Sequence, residues 1–284
     1  MRTSNDPTVV VRNLKKTFVV NKAGSELTLS RSRRRVEALK GVSFVAERGE
    51  SIGILGRNGS GKSTLLNVIA GNERPTSGEV LVSSAPSLLS VSAVLQPHLS
   101  GRQNVRLGLL AQGLSPKCVH SMEDEVGEWA QIGEALDRPL NTYSSGMKAR
   151  LKFAISTANH PEILMVDEAL ATGDAAFAQR AKERMEKFLR DSGTVFIVSH
   201  SPGALKQHCN RAIWLHLGEI LADGSVDDVG AEYAKWSRYS AAGDDESADS
   251  VLEEMRSCYV FPEIIFDSEA IKELDQTGTC GDDL

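Results

Sequence analysis

Two runs rich in β-branched residues open the chain, VVVRNLKKTFVV at 9–20 and VEALKGVSFVA at 36–46, and each predicts a strand. Between them, residues 21–35 carry Gly24, Ser25, Ser30 and the basic run Arg31, Arg33, Arg34 and Arg35, the composition of an extended loop or hairpin insertion. The turn ERGE leads into SIGILG, a short apolar strand ending in glycine, and NGSGKSTLLNVIAG then opens a helix. From 104 to 158 the apolar spacing is mainly helical, in NVRLGLLAQGL and in 121–136. SSGMKARLKFAISTANHP starts a further helix with Ser144 or Ser145 placed as its cap. ILMVDEA and TVFIVSH read as buried strands on either side of an amphipathic helix at 174–191. A helix at 201–209, strands RAIWLHL and EILADG turned at Gly218, and a helix at 225–240 follow. Short apolar strands alternating with helices predict an α/β fold, a mostly parallel sheet with helices on both faces.

Length and charge refine this picture. A chain of 284 residues suits one large α/β domain with appendages. The net charge of −6 is uneven: residues 241–284 carry −11 and the rest +5. AAGDDESADS begins a stretch, 241–257, whose composition predicts a flexible acidic linker. The apolar island CYVFPEIIF at 258–266 is expected to dock on the body or on a second copy, because such a segment is a liability when exposed. No run reaches the roughly 18 apolar residues of a membrane span, and MRTSNDPT lacks the apolar centre of a secretory signal, so a cytoplasmic location is expected. Aromatic residues at 5 % argue against a stacking platform for single strands, and no nucleic-acid partner is expected. Cys118, Cys209, Cys258 and Cys280 form no C-x-x-C pair and are expected as reduced thiols.

The chemistry gathers at strand ends. Gly56, Arg57, Asn58, Gly59, Ser60, Gly61, Lys62 and Ser63, with Thr64 after them, fit the phosphate-loop pattern G-x-x-x-x-G-K-[ST] between a strand and a helix. Glycines let backbone N–H groups turn toward phosphates, and the helix N-terminus adds a positive dipole. Lys62 is placed to reach the β- and γ-phosphates and the Ser63 hydroxyl to bind Mg2+. Asp167 emerges at the carboxyl end of a buried strand, where it can hold the same metal. Glu168 follows it as a candidate general base, and His200 at the end of VFIVSH can contact the γ-phosphate.

Taken in order, the phosphate loop, Tyr143-Ser144-Ser145-Gly146-Met147, ILMVDE, Asp174 and His200 resemble the ATPase subunits of ABC transporters over about residues 9–240. The family signature is LSGGQ; Ser144 stands at its serine and Gly146 at its second glycine, while Ser145 replaces the first glycine and Met147 the glutamine. The resemblance places Phe18 under an adenine ring, Asp174 in the D-loop, and Ser144, Ser145 and Gly146 on the γ-phosphate held by an opposite subunit. It also implies a glutamine touching Mg2+ and the transport subunit; Gln96 lies in that region, but the stretch to Arg102-Gln103-Asn104 is shorter than usual.

What the resemblance implies is a P-loop NTPase fold of ABC type. It has a mostly parallel sheet core, an antiparallel β part and a helical signature subdomain at about 100–158, all within residues 1–240, followed by an acidic tail at 241–284. It implies ATP as substrate, Mg2+ as cofactor, a homodimer, and integral membrane permease subunits at the cytoplasmic face of the membrane, where the chain would sit as a peripheral protein. The insertion after the first strand, SSGM, DEALATGDAAF and LSGRQN resemble ATPases that export cell-envelope polymers, wall teichoic acid exporters first and polysaccharide exporters next. Recognition of a lipid-linked polymer would then fall mainly to the permease. An importer ATPase or a non-transport ABC ATPase stays open as an alternative. Two ATPase halves in one chain, or a long coiled coil between loop and signature, would favour a non-transport role; neither feature is present.

Overall fold

The computed structural model describes residues 6–21, 33–89, 95–159, 161–167 and 175–266. Strands β1 (Pro7–Asn21) and β2 (Arg33–Glu47) pair antiparallel along their length, and β4 (Ser77–Val82) pairs with the other edge of β1. The pairing reaches Asn21↔Arg33, so the two strands form the arms of a hairpin around 22–32, which lie outside the described residues with Arg31.

The second sheet runs β5-β6-β7-β3-β8-β9. Its members are β3 (Ser51–Leu55), β5 (Ser87–Leu89), β6 (Ile163–Asp167), β7 (Thr194–Ser199), β8 (Arg211–His216) and β9 (Glu219–Ser225). All adjacent pairs are parallel except β8–β9. Strands covered on both faces need near-continuous apolar sequence. TVFIVS meets that need, with every residue buried except half-buried Ile197. The mostly parallel core with an antiparallel part is therefore present as expected.

Between the sheets lies the main core. Val9, Val11 and Leu14 of β1 and Leu39, Val42 and Phe44 of β2 meet Ile52, Ile54, Met165 and Phe196 of the parallel sheet. Leu65 and Leu66 of α1 (Lys62–Ile69) complete it. Phe44 and Phe196 meet edge to face at 6.1 Å. Each such side chain contributes about 1.5–3 kcal/mol by leaving water.

A helical unit has its own core. It comprises α2 (Gly101–Ala111), α3 (Pro116–Ala130) and α4 (Ser145–Ser156). Serine caps set the helix starts: Ser100 in a capping box with Gln103, Ser115 ahead of Pro116, and Ser144. Gln131, at φ 53°, caps α3, whose last residue falls six short of 136, and a 3-10 turn at Gly133–Asp137 follows. Arg106 grips Glu123, which is 2 % exposed, and Arg102 bridges Asp124 and Asp137.

On the outer face of the parallel sheet lie α5 (Ala175–Asp191), α6 (Pro202–Leu205), α7 (Val226–Ala242) and α8 (Asp245–Cys258). The helix expected at 201–209 is only the short α6. The larger correction is α8, which occupies residues expected as a flexible linker. Ala248, Val251 and Leu252 sit at helical spacing and are buried against Trp214, Tyr233 and Trp236. Asp244 caps the helix by accepting from Ser247 N, and Asp245 and Glu246 follow in its first turn, where negative charge is favoured. Acidic composition described the solvent face of this segment and not its buried stripe.

The apolar island docks on the body through part of its length. Tyr259 packs on the main core and donates to Ser43 O at 3.4 Å, Arg12 donates to Ile264 O at 3.4 Å, and the Arg12 guanidinium lies 4.1 Å over the Phe266 ring. Val260, Phe261 and Ile265 remain exposed. Among the described residues no helix is long and apolar enough to cross a membrane. Cys118, Cys209 and Cys258 are free thiols, and burial pushes the Cys209 thiol up to about 12. Cys280 lies outside the described residues.

Candidate functional site

The register of the parallel sheet assembles the site. Leu55 pairs with Ser199 and Asp167 with Val198, so the ends of β3, β7 and β6 lie side by side. From those ends emerge the loop starting at Gly56, His200 and Asp167. Ligands in open α/β sheets bind along this carboxyl edge. Glu168 and Asp174 lie outside the described residues, as does the side chain of Asp167.

The loop is built for close backbone approach. A Cβ on Gly56 would stand 2.4 Å from Leu215 O, and one on Gly61 would stand 2.5 Å from Ala38 O. Gly61, at φ 106°, forms the N-cap of α1 with no side-chain hydrogen bond, so the first turn of the helix is open to an anion. Lys62, 7 % exposed, points back into the loop and donates to Gly56 O at 2.6 Å and Arg57 O at 2.9 Å. Ser60 N donates to Arg57 O at 3.1 Å, and Ser60 O accepts from Gly218 N at 2.9 Å. The Ser60 hydroxyl is buried against Gly56 and has no hydrogen-bond partner among the described residues. Asn58 and Gly59 are exposed at the loop tip, and Ser63 and Thr64 begin the helix, Ser63 exposed and Thr64 half-buried. The Arg57 side chain turns away to α7, where Nη1 donates to Ser240 Oγ at 3.0 Å and the guanidinium lies 5.8 Å over the Trp236 ring.

His200 is exposed just beyond β7, and Ser199 Oγ holds the turn after it by accepting from Ser201 N at 3.0 Å. The remaining expected residues stand on other units. Phe18, on β1 opposite Val36, is half-buried, and the Lys16 ammonium lies 4.9 Å over its ring. Lys16 also donates to Glu73 Oε2 at 2.8 Å and Arg74 O at 2.7 Å, tying β1 to the segment after α1. Ser144 caps α4 by accepting from Met147 N at 3.2 Å, with Ser144 and Ser145 exposed and Gly146 half-buried. Tyr143 anchors this turn: its buried hydroxyl donates to Ala135 O, and burial raises its pKa.

Gln96 is exposed and borders a cleft of about 830 Å³ between the parallel sheet and the helical unit, shared with Leu95, Asn104, Leu107 and Ile155. Asn104, 3 % exposed, both accepts from Gln96 N (2.7 Å) and donates to Gln96 O (3.1 Å). Sequence reasoning passed over Asn104; an amide on the apolar face of a predicted helix was the available signal.

The helical unit is tied to α5 by aromatic rings. Trp129 of α3 stacks on Phe153 of α4 at 5.3 Å and meets Phe177 of α5 edge-on at 5.4 Å. Arg184 of α5 lies 4.4 Å over Trp129 and donates to Thr157 Oγ1 at 2.8 Å.

A family model described as ABC transporter matches residues 39–171. The teichoic acids export ATP-binding protein TagH of Lactococcus lactis is 39 % identical over 220 residues, 77 % of this chain and 47 % of that protein. The chain belongs to the ABC transporter ATP-binding family. TagH of Bacillus cereus is 42 % identical to this ABC ATP-binding chain over 69 % of its length and 36 % of the relative's; TagH of Listeria monocytogenes is 39 % identical over 71 % and 60 %. The chain spans about half the length of the curated relatives it matches. Among solved structures, the dimeric ATP-binding cassette MJ0796 in a post-hydrolysis state with ADP and Pi superposes with a TM-score of 0.59 at 26 % identity, covering 77 % of this chain and 98 % of that one. An ATP binding subunit of an ABC transporter gives 0.61 at 22 % identity over 80 % and 93 %, a likeness of fold.

Proposed function

We propose that the chain is the ATP-hydrolysing subunit of an ABC exporter that moves a lipid-linked cell-envelope polymer, of teichoic acid or polysaccharide type, across the cytoplasmic membrane. The observation that carries the ATPase reading is the convergence of the glycine loop, Asp167 and His200 on three adjacent strand ends. The identity of 38–42 % to teichoic acid export proteins supports the polymer class.

On this reading, residues 56–64 wrap the phosphates with backbone N–H groups, and the Lys62 ammonium exchanges its two loop carbonyls for the β- and γ-phosphate oxygens. A hydroxyl and a carboxylate are hard oxygen donors that fit Mg2+, so Ser63 and Asp167 would hold it, with Gln96 as a third candidate. Bound there, the metal supplies charge neutralisation at the γ-phosphate. Glu168 takes a proton from the attacking water; the water oxygen bonds to the γ-phosphorus while its bond to the bridging oxygen breaks, leaving ADP and phosphate. His200 holds the γ-phosphate, and Phe18 supports the adenine.

Each chain holds one phosphate loop on the sheet and one signature turn, Ser144, Ser145 and Gly146, on the helical unit. A two-fold homodimer pairs each loop with the partner copy's signature. The dimeric state of the cassette MJ0796 supports this assembly. Along the chain Asp174 falls between Asp167 and α5, and the ring contacts of α5 with α3 and α4 couple hydrolysis to the signature. The cleft at Gln96 faces the permease, which recognises the polymer, and the chain works as a peripheral subunit on the cytoplasmic face. No nucleic acid takes part.

The test is isolation of the complex from native membranes, followed by its reconstitution into vesicles. Export of a lipid-linked anionic polymer driven by ATP and Mg2+ is the expected result. Co-isolation with an importer permease and inward transport of a small solute would overturn the export reading and leave the ATPase reading in place.

A further inference from the structure

We infer that the C-terminal helix pair α7–α8 is a positioning element for the phosphate loop, acting through Arg57. This rests on the reading of residues 56–64 as a nucleotide loop. The loop is rich in glycine, so ordering it around an anion costs more entropy than ordering other backbone. From inside, Lys62 holds the carbonyls of Gly56 and Arg57. Those bonds are given up when the ammonium turns to a phosphate, so the loop needs a second restraint that survives binding.

The Arg57 side chain provides it from outside. Its guanidinium donates to Ser240 Oγ at 3.0 Å and lies over the Trp236 indole at 5.8 Å. Both partners belong to α7. Trp236 is 3 % exposed and meets His216 edge-on at 5.3 Å, at the end of the strand that flanks the loop. α8 packs behind it through Ala248, Val251 and Leu252. The path runs from α8 to Trp236 and Ser240, then to Arg57 and the loop backbone. An anchored loop loses less freedom when a phosphate arrives, and affinity rises for that reason. Ser240 and Trp236 are therefore positioning residues: they touch no phosphate. A cation over a ring at an exposed site and an exposed hydrogen bond each change an equilibrium by about two- to tenfold.

The experiment titrates the full chain with a fluorescent N-methylanthraniloyl derivative of ATP in the presence of Mg2+. It uses Ser240→Ala, Trp236→Phe, Arg57→Gln and the double variant Arg57→Gln/Ser240→Ala. Ser240 is half-buried and alanine suits a helix, so Ser240→Ala keeps the fold, and thermal melting checks this. The expected result is binding weakened about two- to tenfold in each single variant, with KM for ATP raised and kcat kept for Ser240→Ala. In the Arg57→Gln background, Ser240→Ala has no further effect. The inference is overturned if Ser240→Ala and Trp236→Phe bind as tightly as wild type, or if Ser240→Ala weakens binding equally with and without Arg57. Wild-type protein that fails to bind the probe would overturn the nucleotide reading as well.

Discussion

Replacing Leu252 by alanine tests whether α8 is part of the folded body. Leu252 is 8 % exposed and lies one residue from Val251 and four from Ala248, the stripe buried against Trp214, Tyr233 and Trp236. Truncating a buried leucine costs about 2–5 kcal/mol, and a site near the rim falls at the lower end, about 2–3 kcal/mol. A domain of this size shifts its Tm by about 2–4 °C per kcal/mol, so the variant should melt about 4–12 °C lower. Trp214 and Trp236, two of the three tryptophans, lie in the affected cluster, so their fluorescence follows the transition directly. Glu253→Ala, on the exposed face of the same helix, is the control and should change stability by no more than about 0.5 kcal/mol. Truncation before residue 241 should destabilise more than Leu252→Ala. Equal melting of Leu252→Ala, Glu253→Ala and wild type would refute the docked helix.

Three further outcomes are expected. Glu168→Gln should keep ATP binding, stop turnover and accumulate a closed dimer, seen by size-exclusion chromatography with ATP; hydrolysis at the wild-type rate would remove Glu168 from the role of base. Replacing Arg31, Arg33, Arg34 and Arg35 by glutamine should reduce transport in anionic vesicles and spare the isolated ATPase. Each arginine near such a surface is worth about 1 kcal/mol, and Arg34 and Arg35 are exposed beside Val19, Val20 and Val36. Asn104→Ala should cost about 1–3 kcal/mol, because the bonds to Gln96, Leu99 and Ser100 lose their partner, and should lower permease-stimulated turnover more than basal turnover.

Much of the candidate site is legible in the sequence because its pattern is local. SIGILG, ILMVDE and TVFIVSH are apolar runs ending in glycine, an acidic pair and histidine, and parallel pairing alone brings those ends together. Other parts needed tertiary context. β4 was not anticipated: SGEVLV lies at the sheet edge with five of its six residues exposed, so it carries no alternating burial for the pattern to reflect. α8 did carry a signal, since Ala248, Val251 and Leu252 keep helical spacing, but acidic composition outweighed it in the reading of 241–257. Nothing local marks Arg57 as the partner of Ser240, 183 residues away. The spacing from Gln96 to Asn104, short by the family pattern, is one that lets a single buried amide pair with both backbone groups of Gln96.

A composite ATPase site shared between two copies of the chain can be tested by mixing two inactive variants. Lys62→Ala removes the ammonium from one side of the site, and Ser144→Arg blocks the signature on the other. Each variant alone should be inactive in ATP hydrolysis. In an equal mixture half of the dimers are mixed, and each mixed dimer holds both lesions in one site and leaves the other intact. Steady-state phosphate release should therefore recover to about a quarter of the wild-type rate if the sites work independently. Wild-type hydrolysis by Ser144→Arg alone, or a mixture as inactive as its two components, would contradict a composite site.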